Sequence, residues 1–379
     1  MLYTFHLPTK IIFAAGAISQ AGVEVKGIGK KALVVTYPDM RKLGYLDRVL
    51  ADLKENGVEA VVFEEVEPNP RRTTVEEAIN FAKEKQVDVI IGLGGGSAMD
   101  AAKVIAVGAL TSEPIWRYMT RELEVTAALP TLMIPTLAAT GSEADHIAVV
   151  TDWKTHEKVA LRTPYIFPKV AVMDPELTLT LLAKITAQGG ADMFSHAVER
   201  YLTTKAPFAL TDGILETVLK MVINSLPKVL AKLDDIEART QLVWASTVAM
   251  SQFGNLGGGA GLMPLHAIGH ALSAFTDMAH GTSLAVLLPA WMRSIQTVRQ
   301  ERLAQLGRNI FGEADGLRAT EKWLEKVGMR LHLQDLGIKP GQFEDIADNA
   351  IRTALPGQLD SNPTTLDKKA IVQILKDCY

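Results

Sequence analysis

The chain has 379 residues, and its 39 basic against 43 acidic side chains leave a formal charge of -4 at pH 7, without the basic excess that nucleic acid or an anionic membrane attracts. Hydrophobic residues at 48% and charged residues at 22% exclude disorder and fibrous repeats, and the length exceeds what one core usually supports, so two domains are expected. The single cysteine, Cys378, excludes an intrachain disulfide; with no basic-then-apolar leader and no apolar run of membrane-spanning length, a cytoplasmic protein is expected.

In chain order, the first half alternates short β-branched runs with amphipathic stretches. Residues 32–36, 60–64, 87–93, 132–135 and 170–174 read as strands, and residues 45–56 and 74–85 carry apolar side chains at spacings of three and four. That alternation predicts an α/β dinucleotide-binding domain with a parallel sheet over residues 1–180. From Leu181 onward strand signals fade, and an all-α metal and substrate domain is expected over residues 181–379.

The run 87–93 leads into Gly94-Gly95-Gly96-Ser97, followed at once by helix-forming residues 98–107. Residues without side chains let a phosphate approach the backbone, and a helix start offers free N–H groups and the positive end of its dipole. Ser97 with Asp100 three residues on matches a capping box, which would start a helix there with or without a ligand. A second turn, Pro135 to Glu143, follows the next strand and supplies Thr136, Thr140, Gly141 and Ser142. After the first strand the fingerprint G-x-G-x-x-G is absent and Tyr37-Pro38-Asp39 stands instead, which excludes the ordinary Rossmann arrangement.

Four of the eight histidines fall between residues 196 and 280. Asp192 and His196 are four apart, as are His266 and His270, and on a helix each pair projects from one face. His280 follows. Three imidazoles and one carboxylate suit Fe(II) or Zn(II), whereas calcium and magnesium want oxygen ligands.

These residues resemble the iron-containing (group III) alcohol dehydrogenase family. Pro8-Thr9-Lys10-Ile11-Ile12-Phe13, the Gly94-Gly95-Gly96-Ser97 turn, Thr140-Gly141-Ser142-Glu143 and the stretch Gly190-Ala191-Asp192-Met193-Phe194-Ser195-His196-Ala197-Val198-Glu199 all match its motifs. Glu67-Pro68-Asn69-Pro70-Arg71 and the glycine-rich run from Gly254 to Gly261 look most like the butanol dehydrogenase branch. The resemblance implies metal ligands Asp192, His196, His266 and His280, with His270 close to the bound alcohol, and a cofactor-contacting lysine at Lys158. Departures are Ala14-Ala15-Gly16 at a usual Gly-x-Gly, and Leu137 and Ala139 in the second turn.

The expected activity is hydride transfer between NAD(P)(H) and a small primary alcohol or aldehyde, with Fe(II) or Zn(II) bound and the protein a homodimer. His270 is expected to carry the proton, and Phe253 to give the substrate pocket one apolar wall. Zinc-dependent glycerol dehydrogenase is the nearest alternative. A dehydroquinate synthase-like lyase would need Lys and Arg for a phosphorylated substrate, and none stands between Gly254 and Gly281. For the cofactor, uncharged Tyr37 occupies the place where NAD enzymes carry a carboxylate, and Arg41 and Lys42 follow, so NADP(H) is expected over NAD(H), with Asp39 as the opposing feature.

Overall fold

The computed structural model describes residues 4–258 and 262–379. Its strands are β1 (Lys10–Phe13), β2 (Lys31–Val35), β3 (Glu59–Phe63), β4 (Val89–Gly94), β5 (Thr131–Pro135), β6 (Ile147–Asp152), β7 (Glu157–Arg162) and β8 (Val170–Met173). Six of them form one parallel sheet in the order β1-β8-β5-β4-β2-β3, while β6 and β7 make a separate two-stranded sheet. The five expected strands are all present, with ends shifted by at most two residues. β1 and the β6–β7 pair were not anticipated: β1 is a four-residue edge strand, and β6 and β7 are joined by a short turn rather than by the crossover helix that marks the others.

A central parallel strand is covered on both faces, so it reads as a continuous apolar run, and all six residues of β4 (VIIGLG) are buried. Alternate side chains enter two cores. Ala32, Val34, Val89, Ile91, Leu132 and Ile134 pack with Leu46, Val49 and Leu53 of the helix Tyr45–Glu55. Leu33, Val35, Ile90 and Met133 pack on the other face with Val75, Ala78 and Ile79 of the helix Arg72–Lys85 and with the helix Gly96–Gly108.

Register brings the two expected cofactor turns together. Gly94 at the end of β4 is paired with Pro135 at the end of β5, and the Thr136 N–H donates to the Gly94 carbonyl at 2.9 Å. The chain passes from β2 outward to β3 and returns on the other side of β2 as β4. Such a reversal leaves a crevice at the carboxyl ends of the strands, where ligands of open α/β sheets bind.

No strand occurs after Met173 among the described residues, and the rest is helical. The helix Ala183–Thr203 is buried on all sides along most of its length, which marks it as the centre of that half. The chain divides into two compact units with a cut between Thr180 and Leu181; Thr4, Phe5 and His156–Lys158 belong with the helical unit. Among the described residues no helix is long and apolar enough to cross a membrane.

Candidate metal centre and dinucleotide turns

Three helices of the helical unit carry the metal set. Asp192 and His196 lie one turn apart on the helix Ala183–Thr203, His266 in the first turn of Pro264–Thr276, and His280 begins His280–Ser294. Close approach of the helices depends on Gly281, where a Cβ would run into the Gln188 carbonyl and touch the Asp192 side chain. The Pro264–Thr276 helix is entered through Met263, held in the left-handed region at φ 58°, a conformation that costs a β-carbon-bearing residue about 1 kcal/mol or more. Gln358 donates to the Met263 carbonyl at 2.9 Å and helps hold that entry.

Asp192 Oδ1 stands 3.7 Å from Nε2 of both His196 and His280, and one ligand atom from each of the four residues lies within 4.8 Å of all the others. In a tetrahedral site with bonds of roughly 2.1 Å the ligand atoms stand about 3.4 Å apart, so small inward movements suffice. Asp192 Oδ1 and His266 Nε2 are buried with no protein hydrogen-bond partner. Leaving such atoms unpaired costs about 1–3 kcal/mol each, and a cation would satisfy both. Burial pushes the Asp192 carboxyl up to about 7, opposed by the charges of His266 and Lys158. The donor set, its burial and its unpaired lone pairs therefore fit a divalent ion of the iron or zinc type.

Glu199, one turn beyond His196 on the same helix face, is a residue that sequence reasoning quoted but did not assign. Its Oε2 accepts from His266 Nδ1 at 2.5 Å, and its Oε1 accepts the Leu265 N–H at 2.5 Å. A proton held on Nδ1 leaves Nε2 as a lone pair facing Asp192 and His196. The signal was available, since Asp192, His196 and Glu199 stand at i, i+4 and i+7.

His270 is beside the set but outside it, its ring centroid 5.1 Å from that of His280 and 6.4 Å from that of His266. Burial, together with the charge of Lys158, holds His270 well below the usual histidine range, so it is neutral near pH 7. Burial and Lys158 act on His280 in the same direction. Lys158 is itself buried, and its charge reaches Asp192, His270 and His280 within the helical unit. The remaining histidines lie elsewhere: His6 and His146 pack against Phe167, His156 stacks on Phe275, and His332 joins no such group. Phe253 packs on Phe5 with centroids 5.3 Å apart and is partly exposed, while residues 259–261 of the glycine-rich run lie outside the described residues.

In the α/β unit, Gly94, Gly95, Gly96 and Ser97 form the turn at the head of the helix Gly96–Gly108. Gly94 has φ +147°, and a Cβ there would meet the Tyr37 ring at 2.5 Å; at Gly96 it would meet Thr140. The expected capping box is not formed. The helix starts earlier, with Gly95 as its N-cap and Ser97 inside the first turn, where Ser97 Oγ accepts the Asn69 N–H at 3.2 Å and Asp100 is turned to the second turn. There Asp100 accepts from Ser142 Oγ at 2.6 Å and from the Val149 N–H at 3.0 Å.

Lys103, fully buried and also unassigned from sequence, donates to Asp145 at 2.5 Å, to Ser142 at 2.9 Å and to the Ile147 carbonyl at 2.9 Å. Asp100, Lys103, Ser142 and Asp145 thus tie the second turn to the helix of the first. Thr136 is buried behind Gly94, and Thr140 accepts the Ser142 N–H at 3.3 Å. Asp39 is not gathered in: it is exposed and paired with Lys42 at 2.9 Å. Arg41 is bracketed by Glu64 at 2.9 Å and Asp47 at 3.3 Å.

Comparison with known proteins agrees with this geometry. Residues 8–175 match the family described as iron-containing alcohol dehydrogenase, and residues 186–379 match the C-terminal domain of the Fe-containing alcohol dehydrogenase family. NADH-dependent butanol dehydrogenase A of Clostridium acetobutylicum is 33% identical over 389 residues, covering 100% of this chain and 99% of that protein. The NADPH-dependent aldehyde reductase YqhD of Escherichia coli is 32% identical over 351 residues, 89% of each. The crystal structure of NADH-dependent butanol dehydrogenase A from Thermotoga maritima superposes with a TM-score of 0.94 at 33% identity, over 99% of this chain and 98% of that one. The chain belongs to the iron-containing alcohol dehydrogenase family, whose two domains together match nearly its whole length.

Proposed function

We propose that this NAD(P)-dependent alcohol and aldehyde oxidoreductase acts on short primary alcohols and their aldehydes, with one Fe(II) or Zn(II) ion held by Asp192, His196, His266 and His280. The observation that carries the reading is the convergence of four ligand atoms within 4.8 Å, from three buried residues and the partly buried His280. Relatives named butanol and 1,3-propanediol dehydrogenases support the substrate class. When bound, the ion supplies Lewis acidity that stabilises negative charge on the substrate oxygen during hydride transfer to or from the nicotinamide.

The chain's own residues do the rest. Glu199 fixes the His266 tautomer. His270, neutral and next to His280, holds or passes the alcohol proton. Gly94, Gly95, Gly96, Ser97, Thr136 and Thr140 receive the dinucleotide phosphates at the helix head, Asp100 and Ser142 keep the two turns in register, and Lys158 supplies a positive charge to the bound reactants.

For the coenzyme we favour NAD(H). The expectation of NADP(H) rested on the uncharged Tyr37 and on Arg41 and Lys42, and both cations are engaged by carboxylates, Arg41 by Glu64 and Asp47 and Lys42 by Asp39. A 2′-phosphate would have to displace those carboxylates. The same reading has the enzyme acting in the cytoplasm as a homodimer, which cell fractionation and analytical ultracentrifugation test.

The deciding experiment is oxidation of NADH and NADPH with butanal by metal-loaded protein and by protein stripped with a chelator. Turnover that appears only with metal is expected, with kcat/KM higher for NADH. Equal turnover by the stripped protein would overturn the metal-dependent reading.

A further inference from the structure

Tyr37 is the second residue beyond β2 and the N-cap of the short helix Pro38–Lys42, at the reversal point of the sheet beside the end of the neighbouring strand β4. Its ring lies over Gly94, where a Cβ would come 2.5 Å from Tyr37 Cε2, and over Gly95, where it would come 3.4 Å from the hydroxyl. Contact this close is possible only because those positions lack side chains. The phenol oxygen accepts the Ala98 N–H at 3.2 Å, a donor shared with the Gly95 carbonyl at 3.1 Å. The Gly95 backbone and the Ser97 side chain lie near enough to the phenol to oppose part of the effect of burial. Burial pushes the phenol up to about 12, so Tyr37 is uncharged at any physiological pH. A neutral oxygen of the protein therefore occupies a backbone donor, the Ala98 N–H, that a phosphate oxygen at the helix head would use.

We propose that Tyr37 sets the affinity of the dinucleotide site by competition: its phenol oxygen occupies the donor cradle at the head of the Gly96–Gly108 helix, and the cofactor's pyrophosphate must displace it to bind. This rests on the reading that the glycine-rich turn receives the dinucleotide. The competing bond is neutral and partly shared, which makes it weak enough for a charged phosphate to displace. Its loss in the bound state lowers affinity without closing the site. The consequence is specific to phosphate: a ligand that lacks it gains nothing from removal of the hydroxyl.

The test uses the full-length, metal-loaded enzyme and measures Kd for NADH by fluorescence titration and for inorganic pyrophosphate and adenosine by calorimetry. Tyr37→Phe keeps the ring and removes the competing oxygen. It is expected to tighten NADH and pyrophosphate by about two- to tenfold, the worth of one neutral hydrogen bond, and to leave adenosine unchanged. Tyr37→Leu, which also clears the cradle, gives the same direction if the phenylalanine variant does not fold. Weaker or unchanged binding of NADH and pyrophosphate in either folded variant overturns the proposal, and weaker binding makes the hydroxyl a cofactor contact instead. Gly95→Val separates this from the reading beneath it: Gly95 has an ordinary φ of -79°, so valine fits the backbone while filling the turn. Pyrophosphate bound as tightly by Gly95→Val as by the parent enzyme shows that the turn is not the phosphate site. Binding lost in Gly95→Val but not tightened in Tyr37→Phe overturns the competition alone.

Discussion

His266 donates its Nδ1–H to Glu199 across 2.5 Å, and the same carboxylate accepts the N–H of Leu265, so one side chain fixes both the ring and the backbone that carries it. Hydrogen-bond partners of this kind typically change metal affinity by about 10- to 100-fold. Glu199→Gln, which can accept only one of the two bonds, is expected to weaken metal binding by that factor in chelator competition while the protein stays folded. Unchanged affinity would remove Glu199 from the metal site.

His280 and His270 have neighbouring rings but separate roles. His280→Ala and His196→Ala proteins are expected to lose bound metal on dialysis, whereas His270→Ala retains one equivalent and loses about 100- to 10,000-fold in kcat, the range for a positioned proton-transfer group. Elemental analysis and steady-state kinetics check both halves. Loss of metal from His270→Ala would make it a ligand, and unchanged turnover would take it out of the reaction.

Glu64 is the nearest carboxylate to Arg41, and removing its charge leaves Asp47 as the carboxylate still paired with the guanidinium. Glu64→Gln is expected to raise kcat/KM for NADPH relative to NADH by about fivefold, the scale of an exposed ion pair. If the ratio does not move, Arg41 does not see the 2′ position.

Asp100 is pushed by burial from 3.8 to about 6, and Lys103 and Ser142 offset only part of that effect. A carboxyl whose folded value is raised stabilises the fold where it is protonated. Its contribution is full below about pH 4 and is lost as pH rises through about 6. The rise corresponds to roughly 3 kcal/mol between those limits. Denaturant unfolding from pH 4 to pH 7 is expected to show this loss in the parent protein and a flatter profile in Asp100→Asn. Parallel profiles would mean that Asp100 titrates normally.

Much of the architecture was legible because it rests on local patterns. The five apolar runs bounded by helices implied a parallel sheet, and the four-residue spacing of Asp192 and His196 implied a shared helix face, since both depend only on backbone periodicity. β6 and β7 escaped because a hairpin lacks the crossover helix that makes a parallel strand recognisable. The capping box at Ser97 failed for a tertiary reason: the Asn69 N–H and the second turn offered Ser97 and Asp100 better partners than the helix start did.

What the sequence by itself determined is the order of elements, the residue types able to hold a metal, and the two places where the backbone lacks side chains. Only the tertiary structure decided which groups meet. It joined Glu199 to His266 across 67 residues, buried Lys103 against Asp145 across 42, and set Glu64 and Asp47 on Arg41, so that a cation expected to receive a phosphate is already engaged. The physical reason is that a side chain's protonation, orientation and availability depend on the charges and burial around it, which come from segments far away in the chain and leave no trace in local spacing.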